Sequence, residues 1–373
     1  MYLTFRVKSC IIGKNRCLNP GGETTDCVYD TGKDGTFMEF VCFGEIMGRL
    51  NPEGYERIVQ AHRLEISYGG GEANVAVSLA NFGKKAVFIT KVPENNLADS
   101  AIQSLKAHNV DVSRVIRGGD RMGLYFMERG ASQRENKILY DRKYSAISMA
   151  SKEDFDWKKI FAETEWFHFT GITPALSDSC AEICLEACRT AKELGVTISC
   201  DLSYRKSLWD GKKANQVMST LMPYVNVLIA DEEDCAKVFN IGREEGNSEN
   251  GTSEHPEIAK ILSDRFSIPT VAVTVRKNVS ADSNDWSAVL FNHGEYYRSK
   301  EYRIHIVDYL GTEDSFCGGL IYALSEGQEN QFAVDFAVAA STLKQTICND
   351  FNEVTVSEVK GLMNGTGTGR VQR

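Results

Sequence analysis

The sequence predicts an α/β protein: a mostly parallel sheet with helices on both faces, and a small β-sheet set apart from it as a lid. Three observations carry that expectation. Short β-rich runs alternate with helical patterns, a late segment spaces its apolar residues by three and four, and two stretches of alternating polar and apolar residues interrupt the order.

Residues 1–37 are rich in Gly, Thr and Asn and lack periodicity, so they are read as a disordered extension to a domain spanning 38–373. Met38, just before the strand-like run FVCFG, is either the biological start or the end of a regulatory or targeting tail. The runs AVFIT (86–90), WFHFT (166–170), VTISCD (196–201), VNVLIA (225–230) and TVAVTV (270–275) are buried parallel strands by composition. Lid strands are expected within about 55–68 and 121–144, where alternation falls between Gly and charged clusters. Cys180, Cys184 and Cys188 recur at helical spacing as an apolar stripe rather than a metal site. The segment 242–255, GREEGNSENGTSEH, is a polar surface loop, and Phe332, Phe336, Ala339, Ala340, Leu343 and Ile347 form one face of a late helix.

Composition narrows the function. A chain of 373 residues, 42% hydrophobic and with a net charge of -9, is a globular enzyme by default and is not drawn wholesale to nucleic acid. Eleven cysteines without a secretory signal are expected to stay reduced, and no apolar run reaches the length of a membrane span, so a cytoplasmic protein is expected. The six histidines share no metal-ligand spacing, and no G-x-S-x-G nucleophile motif occurs.

The chemistry concentrates in DYLGTEDSFCGGLIYAL, residues 308–324. A glycine-containing turn runs into an amphipathic helix, so the first-turn amides near Gly311, Thr312, Glu313 and Asp314 can hold an anion. Asp314 is then either a base for a hydroxyl proton or a helix cap. Gly69, Gly70 and Gly71 precede another helical run. They could pass for a dinucleotide fingerprint, but Asn74 occupies the third glycine position, and a tight strand-to-helix turn explains them as well. DEED (231–234) is either a magnesium cluster or an acidic helix start.

Asp308, Gly311, Asp314, Phe316 and Gly319 match the Asp-x-x-Gly-Ala-Gly-Asp-x-Phe-x-x-Gly signature of the ribokinase-like, or PfkB, carbohydrate kinases, and the resemblance extends over most of residues 39–373 through FGEIM (43–47) and YGGGEANVAVSLANFG (68–83). It implies a three-layer α/β/α sandwich and a lid through which two copies pair as a homodimer. It implies ATP and Mg2+ as cofactors, Asp314 as catalytic base, and a sugar held by Gly69, Gly70, Gly71 and Asn74. The chain most resembles the 2-keto-3-deoxygluconate kinases, in which Tyr140 and Arg142 of ILYDRKYSA and Arg205 of CDLSYRKSLW would read the acid. Asp231, Thr274, Arg276 and Lys344 fall where that family lines its nucleotide site.

The chain departs from the family at Glu313, where a glycine is expected. A carboxylate beside the transferring phosphate would be repelled by about 4 kcal/mol at 4 Å and an effective dielectric of 20, roughly a thousandfold in rate. Asp231 and Asp234 replace the ends of an Asn-x-x-Glu motif, and Ser203 stands for an asparagine. The expected function is therefore phosphorylation of 2-keto-3-deoxygluconate, with an impaired pseudokinase or a kinase for a neutral sugar such as fructose as alternatives.

Overall fold

The computed structural model describes residues 38–242 and 254–365, together with the backbone of two strands, Arg16–Leu18 and Thr24–Asp26, that pair antiparallel. That hairpin belongs to a separate unit, Met1–Met38, and the larger unit begins at Glu39. Expectations for the rest of residues 1–37, for the polar loop beyond Gly242 and for the tail beyond Gly365 fall outside the described residues.

Strand β1 (Glu39–Phe43) enters a main sheet, whereas β2 (Met47–Asn51) and β3 (Glu65–Gly69) begin a small one. After helix α1 (Gly71–Asn81), β4 (Lys85–Ile89) returns to the main sheet; beyond α2 (Asn96–Ala107), β5 (Leu124–Glu128) and β6 (Lys137–Asp141) complete the small one. The alternation is then regular: β7 (Thr164–Thr170), α3 (Asp178–Glu193), β8 (Thr197–Asp201), α4 (Gly211–Leu221), β9 (Val227–Asp231), α5 (Glu232–Phe239), α6 (Glu254–Phe266) and β10 (Thr270–Ser280). Strands β11 (Ser283–Asn292), β12 (Glu295–Arg298) and β13 (Tyr302–His305) precede α7 (Thr312–Ser325), α8 (Asn330–Lys344) and α9 (Val356–Met363).

In the main sheet β4, β1, β7, β8, β9 and β10 run parallel in that order, and β11 closes the edge antiparallel, carrying β12 and β13. The period of two along each strand divides its side chains between two cores. Phe40 and Cys42 of β1 face the core shared with α1, α7 and α8, while Val41 and Phe43 face the core filled by α3, α4 and α6. Both faces are thus covered, which is why these strands read as unbroken apolar runs, and the result is a three-layer α/β/α sandwich. Cys180, Cys184 and Cys188 lie buried and unpaired in α3, as their spacing predicts. Among the described residues no helix is long and apolar enough to cross a membrane.

The small sheet has the order β6-β5-β2-β3. Within the stretch from 55 to 68 only β3 is extended. Residues 55–64, after Pro52 and Gly54, turn back on themselves through Gln60 and Ala61 amides on the Arg57 carbonyl; their apolar residues, Tyr55, Ile58, Val59 and Leu64, do not alternate as a strand face requires. In its place β2, outside the two stretches where lid strands are expected, joins the sheet centre. Register sets two different faces. Ser67, Arg49, Tyr125 and Tyr140 form one cross-strand row, and Ile66, Leu50, Phe126 and Leu139 form the next, on the opposite face.

Candidate active site

The carboxyl ends of the parallel strands, where open α/β sheets bind their ligands, open into a cleft of about 680 Å³, part of it solvent. Its floor is the turn before α7. Gly311 caps that helix with φ 81°, and a Cβ there would lie 2.0 Å from the Asp350 carbonyl oxygen, so both conformation and space require glycine. No side chain bonds to the cap; the Thr312 amide donates to the Tyr309 carbonyl at 3.2 Å, and the amides of Gly311, Glu313 and Asp314 are the ones left for an anion.

Asp314 is not the cap. It lies within the first turn of α7, half-buried, and its Oδ2 accepts a hydrogen bond from Asn74 Nδ2 at 2.7 Å. Asn74 is aimed by the glycine stretch: Gly70 can pass against the Glu45 carbonyl, 1.9 Å from where a Cβ would sit, and its amide donates to Asn74 Oδ1 at 3.3 Å. Asn74, expected to bind a sugar hydroxyl, therefore spends its amide on Gly70 and Asp314. Burial pushes the Asp314 carboxyl up to about 7; Asn74 opposes this, and Glu313, Asp350 and Glu72 reinforce it. Such a group is poised to gain or lose a proton near neutrality. Gly71 faces it, a Cβ there lying 3.4 Å from Oδ1, whereas Gly69 lies off the cleft, against the Asp350 carboxylate.

Opposite the turn stand Tyr140, Arg142 and Arg205, all on the cleft wall. Arg142 is buried and stacked over the Tyr140 ring at 5.4 Å, and its Nε and Nη2 both donate to Glu45 Oε2. Half of its fork is thus committed. Arg205 donates one hydrogen bond, from Nη1 to the Tyr204 carbonyl at 3.0 Å. Burial alone would lower its pKa, but Glu313, Tyr140, Asp234 and Asp201 raise it on balance. Ser203 holds φ 39°, a left-handed conformation that asparagine favours, and its hydroxyl donates to Asp201.

Glu313 turns inward. Tyr309 donates its hydroxyl to Glu313 Oε1 at 3.0 Å, and the Arg276 guanidinium lies over the Tyr309 ring at 4.7 Å. The Glu313 charge is felt at Arg205 and Arg276, and also at Asp201, Asp231 and Asp234, whose pKa values burial raises first and Glu313 raises further.

The other residues expected at a nucleotide site are placed unequally. Asp231 caps α5, accepting from the Asp234 amide at 2.6 Å, and Asp234 accepts from the Tyr204 amide at 2.7 Å, so DEED is the acidic start of a helix. Burial and Asp231 push Asp234 up to about 8. Thr274 sits in register with Asp231, its hydroxyl turned to the Ala230 carbonyl at 3.5 Å. Lys344 corrects the sequence expectation: it is 0% exposed, with Nζ on the Ile347 carbonyl at 3.4 Å beneath Gly311, and it cannot present its side chain to a nucleotide. Among the described residues no group of three His, Cys, Asp or Glu could cage a metal ion. Burial first, and neighbouring carboxylates second, raise Asp231 and Asp234, and a Mg2+ ion held there through water and nucleotide phosphates would relieve that repulsion.

Glu45, Glu72, Tyr125, Ile172 and Asp350 also line the cleft and were not expected. Only Glu45 and Glu72 sit inside motifs that the sequence singles out; nothing in the run around Asp350 marks it.

The chain is similar over 88% of its length to a crystal structure of 2-dehydro-3-deoxygluconokinase from Thermotoga maritima, at 45% identity and TM-score 0.85, covering 98% of that chain. A Haloferax volcanii protein named 2-dehydro-3-deoxygalactonokinase is 32% identical over 89% of this chain and 98% of its own length. A Clostridium perfringens 5-dehydro-2-deoxygluconokinase is 26% identical over 82% of this chain and 86% of its own length. The pfkB family of carbohydrate kinases matches residues 38–347, a span that holds both glycine motifs and Asp314, and the chain belongs to that family.

Proposed function

We propose that the protein transfers the γ-phosphoryl group of ATP to the primary hydroxyl of a sugar acid, 2-keto-3-deoxygluconate, giving ADP and 2-keto-3-deoxy-6-phosphogluconate. The observation that carries this reading is Asp314, a carboxyl shifted to about 7 at the mouth of an uncapped helix turn. Asp314 takes the hydroxyl proton as the oxygen bonds to phosphorus and the bond to the ADP oxygen breaks, while the amides of Gly311, Glu313 and Asp314 hold the charge on the phosphoryl group in flight. Asn74 keeps Asp314 oriented.

The acid end of the substrate meets Arg205, whose side chain is uncommitted among the described residues apart from one backbone bond, with help from the Nη1 side of Arg142 and from Tyr140. The nucleotide lies toward Asp231, Thr274 and Arg276. Mg2+, when bound with ATP, neutralises charge on the phosphates, and Asp231 and Asp234 are the residues that would hold its waters. Tyr309 draws Glu313 to that side, where Arg276 and Arg205 offset its charge. The small sheet acts as a lid that excludes water. Its exposed row of Ile66 and Leu139, flanking Leu50 and Phe126, supports pairing of two copies into a homodimer. Cytoplasmic ATP fits this reading.

The names of the relatives span three keto-deoxy sugar acids, so the decisive experiment is a coupled ADP-release assay with 2-keto-3-deoxygluconate, its galactonate epimer, 5-keto-2-deoxygluconate, fructose and ribose. The highest kcat/KM is expected with 2-keto-3-deoxygluconate. Preference for fructose or ribose would overturn the acid assignment, and turnover that appears only in Glu313→Gly would show a pocket that no longer transfers phosphate.

A further inference from the structure

We propose that Arg49 is a positioning residue for phosphoryl transfer: its guanidinium ties the small sheet to the two segments that shape the Gly311 turn, and so sets the distance between the acid-reading side chains and the base. Arg49 lies in β2 and is 0% exposed. Every edge of its fork is used. Nε donates to Asn51 Oδ1 at 2.6 Å, Nη1 to Asp350 Oδ1 at 2.7 Å and Nη2 to Asp308 Oδ2 at 2.6 Å.

One carboxylate, Asp308, belongs to the turn, and the other, Asp350, to the segment packed against it. Asp308 stands three residues before Gly311 and also accepts from the Leu310 and Asn349 amides at 3.2 and 3.0 Å, which knits the turn to the segment after α8. Asp350 ends that segment, and its carbonyl is the atom against which Gly311 must lack a Cβ. Tyr125 of β5 donates to Asp350 Oδ2 at 2.7 Å, and Arg129, just past β5, reaches Asp308 Oδ2 at 3.3 Å. Four side chains from the small sheet and its margin, Arg49, Asn51, Tyr125 and Arg129, thus converge on one carboxylate pair or on the guanidinium that joins it.

The same sheet carries Tyr140, in register with Tyr125, and leads directly into Arg142. A shift of its root relative to the turn therefore moves the substrate's acid end relative to its reacting hydroxyl. A planar fork spans two carboxylates and a third acceptor in one fixed geometry; a lysine ammonium gathers its three donors on one atom at the end of a flexible stem and holds that spacing poorly. A buried carboxylate left unpaired would pull the turn out of place.

The turnover readout rests on the proposed kinase activity; the structural one does not. Arg49→Lys and Tyr125→Phe are compared with the wild type by hydrogen exchange and by steady-state kinetics. In Arg49→Lys the amides of 308–315 and 346–352 should exchange faster while those of β8 and β9 stay protected, and kcat should fall about a hundredfold with both KM values within about threefold of wild type. Tyr125→Phe should move both readouts in the same direction by less, and decides the matter if Arg49→Lys does not fold. Unchanged exchange at the turn in a folded variant overturns the proposal, as does faster exchange with unchanged kcat. Absence of turnover in the wild type would count against the kinase activity alone, and exchange would still decide the role of Arg49.

Discussion

Protonation of Asp314 governs both rate and stability, with opposite preferences. A base must be ionised, so kcat/KM should fall as pH drops through about 7, the value to which burial lifts this group; a pH-rate profile whose acid limb lies near 4 would contradict it. Because the folded-state pKa is raised, the folded protein binds more protons than the unfolded chain between the ordinary aspartate range and about 7, and stability is lost as pH rises through that window. Asp314→Asn should therefore lower kcat by on the order of 10²–10⁴-fold yet melt higher than wild type, by more at pH 8 than at pH 4. Beside it, Glu313→Gly should raise kcat, by at most roughly a thousandfold. Tyr309→Phe should lower kcat only while Glu313 is present, since the Tyr309 hydroxyl holds that carboxylate aside; a double-mutant cycle without coupling would refute this account.

At the scale of elements, the turn before α7 tolerates almost nothing. Gly311→Ala would combine a left-handed backbone with a Cβ against the Asp350 carbonyl, so a lower melting temperature, by strain of about 1–3 kcal/mol, and loss of turnover are expected from melting curves and the coupled assay. This turn was legible in sequence because its chemistry is local: glycine, carboxylate and helix lie within a few residues. The main-sheet strands were legible because burial on both faces demands unbroken apolar runs. The small sheet was legible only in part. Its central strand β2 follows β1 after three residues, and its partners are fixed by register with β5, far along the chain. The bond from Asn74 to Asp314 could not be read from spacing, and Lys344 was expected as a nucleotide ligand because a helical position does not tell inward from outward when most of α8 is buried.

For the whole molecule, the apolar row across the small sheet predicts its assembly. Leu139→Lys together with Ile66→Lys should shift a dimer to a monomer in sedimentation while leaving the melting temperature of the main domain nearly unchanged; a monomeric wild type would refute the pairing. One further consequence concerns how the chain is made. Arg49 emerges early in synthesis, but its partners Asp308 and Asp350 lie 259 and 301 residues downstream. Until those residues leave the ribosome, burying that guanidinium would strand a charge in the interior. The root of the small sheet is therefore expected to stay open to water until the C-terminal segment has emerged, whereas β1, β4 and β7 can pair as soon as they are made.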